Sequence, residues 1–572
     1  MPTPKEQAMT QSEIFPREKP DRRFLPDIPS KGTSRRGANV RYFSEGRADV
    51  YSSNGKYRYC SGKIVNLSQG GMLLEPDRKL HVGDKVMLRF FLAAGTMPEG
   101  YESFVRLPAT VVRIDAASGN TAFAFEKSLS DYLLRRRWRF LETLSLLGIM
   151  LTLAGIWFIK KESIFYFWFD VPVFLYGLCA VFYLLTRFLF AALYRPVPVD
   201  QDFTPSVTIV IPCFNEEEWI ERTVRACLNQ HYPEDRLEVI VVDDGSSDSS
   251  LAVLENMRRK ILDEVGDRLI IHAFPENRGK RHAMAAGARR ASGDVVVFVD
   301  SDSFLQPLSI LNVVQPLKNP KVGAVTGRCE VENKWTNMLT KMQAVRYFVG
   351  FRIFKAAESI FDAVTCLSGP LACYRKDVLM RSLDAWEHQT YLGRPATFGD
   401  DRSLTNYVLK THYAVYQHTA VTHSIVPSTY RKFYSQQMRW KRSWLRESLR
   451  ACLFMWRKEP FMAISFYLGL ILPLMAPLVV LRAFVFMPAA YGIWPVMYIT
   501  GVFLMSMLMC TSYLFLKRSN LWLYGVPFCF FYLFVLLWQI VWAVFTFWKS
   551  EWGTRPSGHG KTAEHGAMPK AM

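Results

Sequence analysis

V-V-V-F-V-D-S-D, Val295 to Asp302, is an apolar run that ends on two carboxylates. Its β-branched character and lack of a helical period make it a strand buried on both faces. The same pattern stands upstream in V-T-I-V-I-P (Val207 to Pro212) and L-E-V-I-V-V-D-D-G (Leu237 to Gly245), with helical stretches between. Strands alternating with helices make βαβ units, so residues 200–425 are predicted to form an α/β domain with a mostly parallel sheet. In such a sheet ligands bind beyond the carboxyl ends of the strands, where these acids fall.

Asp300 and Asp302 are two residues apart at a strand end and can reach one divalent cation. Mg²⁺ or Mn²⁺ held by one or two carboxylates and completed by substrate phosphates is the expected arrangement. Asp243 and Asp244 end the preceding strand, where a ribose or base can be hydrogen-bonded. Asp400 and Asp401 follow Gly399, and a carboxylate is the residue type that can take a proton from a sugar hydroxyl. Gln436-Gln437-Met438-Arg439-Trp440 then offers a planar guanidinium for phosphate and an apolar indole face for a sugar or base.

The surrounding chain is membrane-like. Of 572 residues, 50% are hydrophobic and 14% aromatic, which excludes a disordered or collagen-like chain. Leu144–Ile159 and Val171–Tyr194 are each long enough to cross a bilayer, and residues 140–195 are read as two transmembrane helices. Arg135, Arg136, Arg137 and Arg139 precede the first, which makes that end cytoplasmic. Residues 426–458 are basic and aromatic at helical spacing, as in a helix lying in the membrane interface. Three more apolar blocks, 461–486, 492–516 and 521–548, lie within a second membrane region at 459–550. Five single crossings would put the tail, 551–572, outside the cell. Pro473, Pro477 and Arg482 break the first of those blocks and Pro527 lies inside the last, which leaves room for an extra crossing or a re-entrant hairpin, and so for an even number of crossings and a cytoplasmic tail.

Seventy Lys+Arg against 51 Asp+Glu leave a net charge of +19. The basic clusters flank membrane segments, so topology and membrane lipid explain them better than nucleic acid, which is not expected as a partner. Ten cysteines without a CxxC pair fit neither a disulfide framework nor a zinc knuckle. Residues 1–30, rich in Pro and charge, are expected to be a disordered tail, and no apolar signal segment follows the N-terminus.

The ordered set Asp244 (with Asp243), Asp300-x-Asp302, Asp401 and Gln436-x-x-Arg439-Trp440 resembles the processive family 2 glycosyltransferases that make and export polysaccharides. Ser368–Arg375 (S-G-P-L-A-C-Y-R), Gly399–Tyr407 (G-D-D-R-S-L-T-N-Y) and Trp552–Arg555 (W-G-T-R) are similar to hyaluronan synthases and rhizobial chitin-oligosaccharide synthases. The resemblance covers about residues 205–555. It implies a GT-A domain and an inverting transfer from a UDP-sugar, or a GDP-sugar, to a growing β-linked polysaccharide. It implies that Pro212, Glu216, Asp243 and Asp244 line the nucleotide wall and that Lys280 reaches the diphosphate. Asp300 and Asp302 would hold the metal, and Asp401 would be the base. Gln436 and Arg439 would stabilise the leaving UDP, Trp440 would stack on the acceptor, and Arg555 would lie near the nucleotide.

Residues 31–130 read as a small β-barrel of short strands between turn signals. Arg35, Arg36 and Arg41 precede the first strand, and Asn66-x-Ser68-x-x-Gly71 closes a strand end. An arginine pair facing such an end can clamp a phosphate-rich guanine ligand. The set resembles a PilZ domain and implies cyclic di-GMP as an allosteric activator. It departs from that family in leaving four residues, not three, between Arg36 and Arg41.

The expected whole is a multi-domain protein of the bacterial inner membrane with both soluble domains cytoplasmic. Mannuronan or cellulose-type polymerisation, a short non-processive sugar transfer with a degenerate PilZ domain, the donor sugar and any export partner stay open.

Overall fold

The computed structural model describes residues 41–549, apart from 43–45, 69, 93–102, 116–118, 130–137, 164–170 and 518. Arg35, Arg36, Arg135, Arg136, Arg137, Arg555 and both expected tails lie outside the described residues.

The N-terminal unit is all β. Its strands are β1 (Arg41–Tyr42), β2 (Arg47–Ser52), β3 (Arg58–Ser68), β4 (Gly71–Pro76), β5 (Lys85–Leu92), β6 (Ser103–Ile114) and β7 (Thr121–Phe125). They follow the order β1-β3-β2-β5-β6-β7-β4, and a β3–β4 pairing closes β2 to β7 into a six-stranded barrel. Alternate residues of β2 and β5 turn inward, so Ala48, Val50, Leu88 and Phe90 fill the barrel and are essentially inaccessible.

The second unit opens with two helices, α1 (Trp138–Ser163) and α2 (Val171–Leu193). Strands β8 (Val207–Cys213), β9 (Leu237–Asp243), β10 (Leu269–Ala273), β11 (Val295–Phe298), β12 (Ser303–Leu305), β13 (Val322–Val331), β14 (Ala372–Arg375) and β17 (Tyr413–Ser424) form one sheet. A small hairpin, β15 (Thr390–Tyr391) and β16 (Arg394–Pro395), stands apart from it. The sheet order is β10-β9-β8-β11-β14-β13-β17-β12. Four of its seven pairings are parallel, as expected for most of the sheet, and β11–β14, β13–β14 and β12–β17 add an antiparallel part. Every residue of β8 is buried, as a strand covered on both faces requires.

The helices used below are α3 (Lys280–Arg290), α4 (Met338–Phe348), α5 (Asp400–Leu409), α6 (Tyr430–Met455), α7 (Pro460–Leu481), α8 (Val496–Lys517), α9 (Gly525–Phe531) and α10 (Gln539–Val544). Among the described residues four segments are long and apolar enough to cross a membrane: Thr143–Lys161, Val171–Leu193, Pro460–Tyr491 and Val496–Lys517. Leu147, Met150, Leu151 and Trp157 on α1 are each more than half exposed, a surface matched to hydrocarbon rather than to water.

The block at 521–548 is not a fifth long helix. It breaks into the short apolar stretch Trp522–Leu536 and then α10. Its end packs on the mixed-sheet domain: the Phe547 and Tyr391 rings meet edge-on at 5.6 Å, and Arg442 Nε donates to Thr546 Oγ1 at 3.1 Å. The chain thus leaves this segment beside the hairpin of the soluble domain. Pro527 does not break the stretch: it lies in the first turn of α9, where proline is tolerated, and the interruption comes after Leu536.

One apolar core joins the sheet to the membrane helices. Ala191 of α2 and Phe466 of α7 share it with Phe298, Tyr374 and Tyr416, and Tyr194 Oη donates to the Tyr416 carbonyl at 2.6 Å.

Candidate active site

β11 delivers Asp300, and β12 begins just beyond Asp302. The Lys280 ammonium at the start of α3 pairs with Asp300 Oδ1. Burial alone would lower Lys280, but the Asp300 and Asp401 charges outweigh it and keep it protonated. Asp302 Oδ1 accepts from Ser303 Oγ at 3.3 Å and Ser424 Oγ at 3.5 Å. Burial first, and the Asp300 charge second, push the Asp302 carboxyl up to about 6. Two carboxylates whose mutual repulsion is only partly offset by one lysine fit a divalent cation. Among the described residues no cluster of three or more His, Cys, Asp or Glu exists to enclose one. Two carboxylates alone would leave the remaining coordination positions of such a cation to waters or substrate oxygens.

Gly369 sits between the acids. A Cβ there would lie 2.8 and 2.9 Å from the two Asp300 carboxylate oxygens, and the Gly369 N–H donates to Asp401 Oδ2 at 3.0 Å. Lys355 supports this loop from below the surface: its ammonium bonds the Cys366 carbonyl and Ser368 Oγ. Neither Gly369 nor Lys355 is marked out by the sequence alone. The S-G-P triplet beside an acidic site was the signal available.

α5 starts at Gly399, whose φ of +81° is a backbone state open to glycine. The adjacent acids that follow divide. Asp400 is 4% exposed and paired with Arg281 Nε at 2.8 Å, and Arg281 Nη1 donates to the Trp386 carbonyl at 3.0 Å. Asp401 instead faces Gly369 and the Lys280–Asp300 pair. Burial pushes its carboxyl up to about 6, with Lys280 opposing and Asp300 adding. A carboxyl with that value is a base near neutral pH.

Gln436, Arg439 and Trp440 share α6, which touches the start of α5. A Cβ at Gly399 would meet Ser443 Cβ at 2.5 Å, and Arg446 bonds the Phe398 carbonyl. Trp440 is 37% exposed, and the Arg346 guanidinium of α4 lies 5.2 Å from its ring centroid. Gln436 Oε1 is buried without a hydrogen-bond partner in the structure.

The four residues expected to line a nucleotide lie at loop and strand ends. Pro212 is buried at the end of β8, and the Glu216 backbone N–H donates to Ser250 Oγ at 2.8 Å. Asp243 accepts from Ser246 Oγ at 2.6 Å and Ser246 N–H at 3.1 Å. Asp244 accepts the N–H groups of Arg278 at 2.8 Å and Gly279 at 3.0 Å, so it fixes the loop that presents Lys280.

On the barrel, the antiparallel β1–β3 pairing sets Arg41 opposite Ser68. Ser68 Oγ donates to the Gly71 carbonyl at 3.1 Å, while Asn66 pairs with Leu73 in the β3–β4 ladder. Gly71 is required by close approach, since a Cβ there would lie 2.4 Å from the Phe123 carbonyl oxygen.

Residues 208–383 match the family model for glycosyl transferase family 2, and residues 35–143 that for the PilZ domain. The chain carries a family 2 glycosyltransferase domain and a PilZ domain. The chain is 35% identical over 278 residues to a hyaluronan synthase of Streptococcus pyogenes, covering 48% of this chain and 65% of that protein. It is 36% identical over 271 residues to an N-acetylglucosaminyltransferase of Rhizobium meliloti, covering 46% of this chain and 62% of that protein. The chain thus spans less than two thirds of the length of these relatives.

Proposed function

We propose that this protein is a membrane-embedded processive glycosyltransferase that polymerises a β-linked polysaccharide and passes it across the bacterial inner membrane. The observation that carries the reading is the grouping of Lys280, Asp300 and Asp401 around Gly369, in one unit with four helices apolar enough to span a bilayer.

In the proposed reaction Asp401 removes the proton from the acceptor hydroxyl. That oxygen bonds C1 of the donor sugar as the C1–O bond to the diphosphate breaks, and the electron pair leaves on the nucleoside diphosphate. Displacement from the opposite face inverts C1. Lys280, Gln436 and Arg439 offset the charge growing on the leaving group. A divalent cation held by Asp300 and Asp302 would supply further neutralisation of the diphosphate. Pro212, Glu216, Asp243 and Asp244 would line the base and ribose. Trp440 gives the acceptor sugar an apolar face.

Radiolabelled UDP-GlcNAc, UDP-glucuronate, UDP-glucose and GDP-mannuronate, each offered to membrane vesicles, test the reading and identify the donor. Incorporation into high-polymer product from one or two of them is expected. Short products alone would defeat the processive claim, and no incorporation from any sugar nucleotide would defeat the enzyme assignment. Excess chelator should abolish synthesis and added Mg²⁺ or Mn²⁺ restore it. Chelator-resistant synthesis would remove the cation from the mechanism.

The PilZ domain is assigned cyclic di-GMP, held by Arg35, Arg36 and Arg41 with Asn66, Ser68 and Gly71. The Arg41–Ser68 register supports bringing both halves of that motif together. A coupling of ~1–3 kcal/mol corresponds to ~5–150-fold activation. Arg36→Ala or Arg41→Ala should remove the activation. Calorimetry on the full-length chain that detected no cyclic di-GMP binding would end this assignment.

A further inference from the structure

α8 ends on a buried charge. Lys517 is 7% exposed and donates to both Glu330 carboxylate oxygens at 2.5 and 2.6 Å. Arg328 Nε lies 3.3 Å from the same carboxylate. Burial alone would raise the Glu330 carboxyl; the two cations outweigh it and hold it well below the usual range. An apolar membrane-length helix is thereby pinned to a strand of the glycosyltransferase sheet.

That strand, β13, leads directly to Asp302. In its parallel ladder with β17, Glu330 pairs with His423 and Val331 with Ser424. Ser424 Oγ donates to Asp302 Oδ1 at 3.5 Å, and the Ile425 N–H donates to the Asp302 carbonyl at 3.3 Å. β12, which starts at Ser303, pairs with β17 from the other edge, Ser303 opposite Ser424. Glu332 strengthens the ladder: its N–H donates to the Ser424 carbonyl at 3.0 Å, and its carboxylate meets His423 Nδ1 at 3.0 Å and Arg222 Nη2 at 2.5 Å.

The other end of the route lies in the membrane helices. Two glycines let α1 approach α8 closely: a Cβ at Gly148 would sit 3.0 Å from Thr511 Cγ2, and one at Gly155 would sit 3.2 Å from Leu504 Cδ2. Near the end of α8, Tyr513 packs edge-on against Phe348 of α4 at 4.8 Å. α1 is the helix that follows the PilZ domain in the chain.

We propose that Lys517 is a positioning residue whose ion pair with Glu330 fixes the β13–β17 edge that holds Asp302. The seating of α8 against α1 would then set how strongly the acid pair grips its divalent cation. This rests on the reading of Asp300 and Asp302 as cation ligands. A buried pair of opposite charges with one partner on each element has two arrangements, made or broken, as a coupling device needs.

The test is Mn²⁺ uptake by the full-length protein purified in detergent with UDP present, followed by loss of the free-Mn²⁺ paramagnetic signal. Lys517→Met and Glu330→Gln should each weaken uptake about tenfold, and the exchanged pair, Lys517→Glu with Glu330→Lys, should recover most of it, as for an outer partner of a metal ligand. Gly155→Leu should also weaken uptake, and should add nothing in the Lys517→Met background. Single variants that bind Mn²⁺ like the wild type, or an exchanged pair no better than the singles, would overturn the proposal while leaving the cation reading intact. A wild-type protein that takes up no Mn²⁺ would overturn both. Should Lys517→Met fail to fold, the exchanged pair and Gly155→Leu decide the question alone.

Discussion

Asp401→Asn is expected to reduce polymer synthesis by about 10²–10⁴-fold, the contribution of a positioned general base. The substitution is nearly isosteric and can still accept the Gly369 N–H, so donor binding measured by calorimetry should stay close to wild type. The wild-type enzyme should lose kcat/KM as pH falls through about 6, the value to which burial first pushes the Asp401 carboxyl. The sign follows from the role: the base works deprotonated, and below that pH it carries a proton. The neighbouring acid should behave differently. Asp400 and Arg281 are each 4% exposed and paired. Asp400→Asn leaves Arg281 uncompensated, and breaking such a pair costs about 3–5 kcal/mol of stability. Thermal unfolding should therefore report Asp400→Asn strongly and Asp401→Asn weakly. If Asp401→Asn vesicles made polymer within threefold of wild type, the base would have to be sought elsewhere.

That separation of two adjacent acids could not be read from the chain. Sequence placed Asp300 and Asp302 at a strand end, because an apolar run that stops on an acid marks a strand terminus whatever the tertiary fold. The resemblance singles out Asp401, but nothing local to the pair tells it from Asp400, because the difference lies in Arg281, 119 residues away. The direction of β12, β14 and β17 was hidden for a related reason. A buried strand is apolar throughout whether its neighbour runs parallel or antiparallel, so the antiparallel part of the sheet left no mark in the chain. The apolar block at 521–548 looked like a crossing by composition. The break after Leu536 shortens its helix, and only the contact of Phe547 with Tyr391 reveals what its end packs against. The Lys517–Glu330 pair spans 187 residues. Nothing local to either residue distinguishes it from an ordinary juxtamembrane lysine and a strand-borne glutamate.

Gly369→Ala should be the most damaging small change in the glycosyltransferase domain. The added Cβ would stand 2.8 and 2.9 Å from the Asp300 oxygens, closer than a carbon can approach them. Either Asp300 turns away from Lys280, or the 366–369 loop retreats and takes the Gly369 N–H from Asp401. Lys355 opposes the second route, since its ammonium holds Cys366 and Ser368 in place. Both routes separate the cation-side acid from the base, and a misplacement of order 1 Å can cost about 10²-fold in rate. The expected result is a loss of that size in kcat with the thermal midpoint little changed, because the strain falls on the partly exposed Asp300 carboxylate rather than in the apolar core. Ser368→Ala removes only the Lys355 bond to Ser368 Oγ, leaves the Cys366 bond in place, and should lose far less. Comparable activity in Gly369→Ala and Ser368→Ala would mean that the close packing of Asp300, Gly369 and Asp401 is incidental to the chemistry. A hundredfold gap between them would mark the missing Cβ as the space that the two acids require to face one substrate.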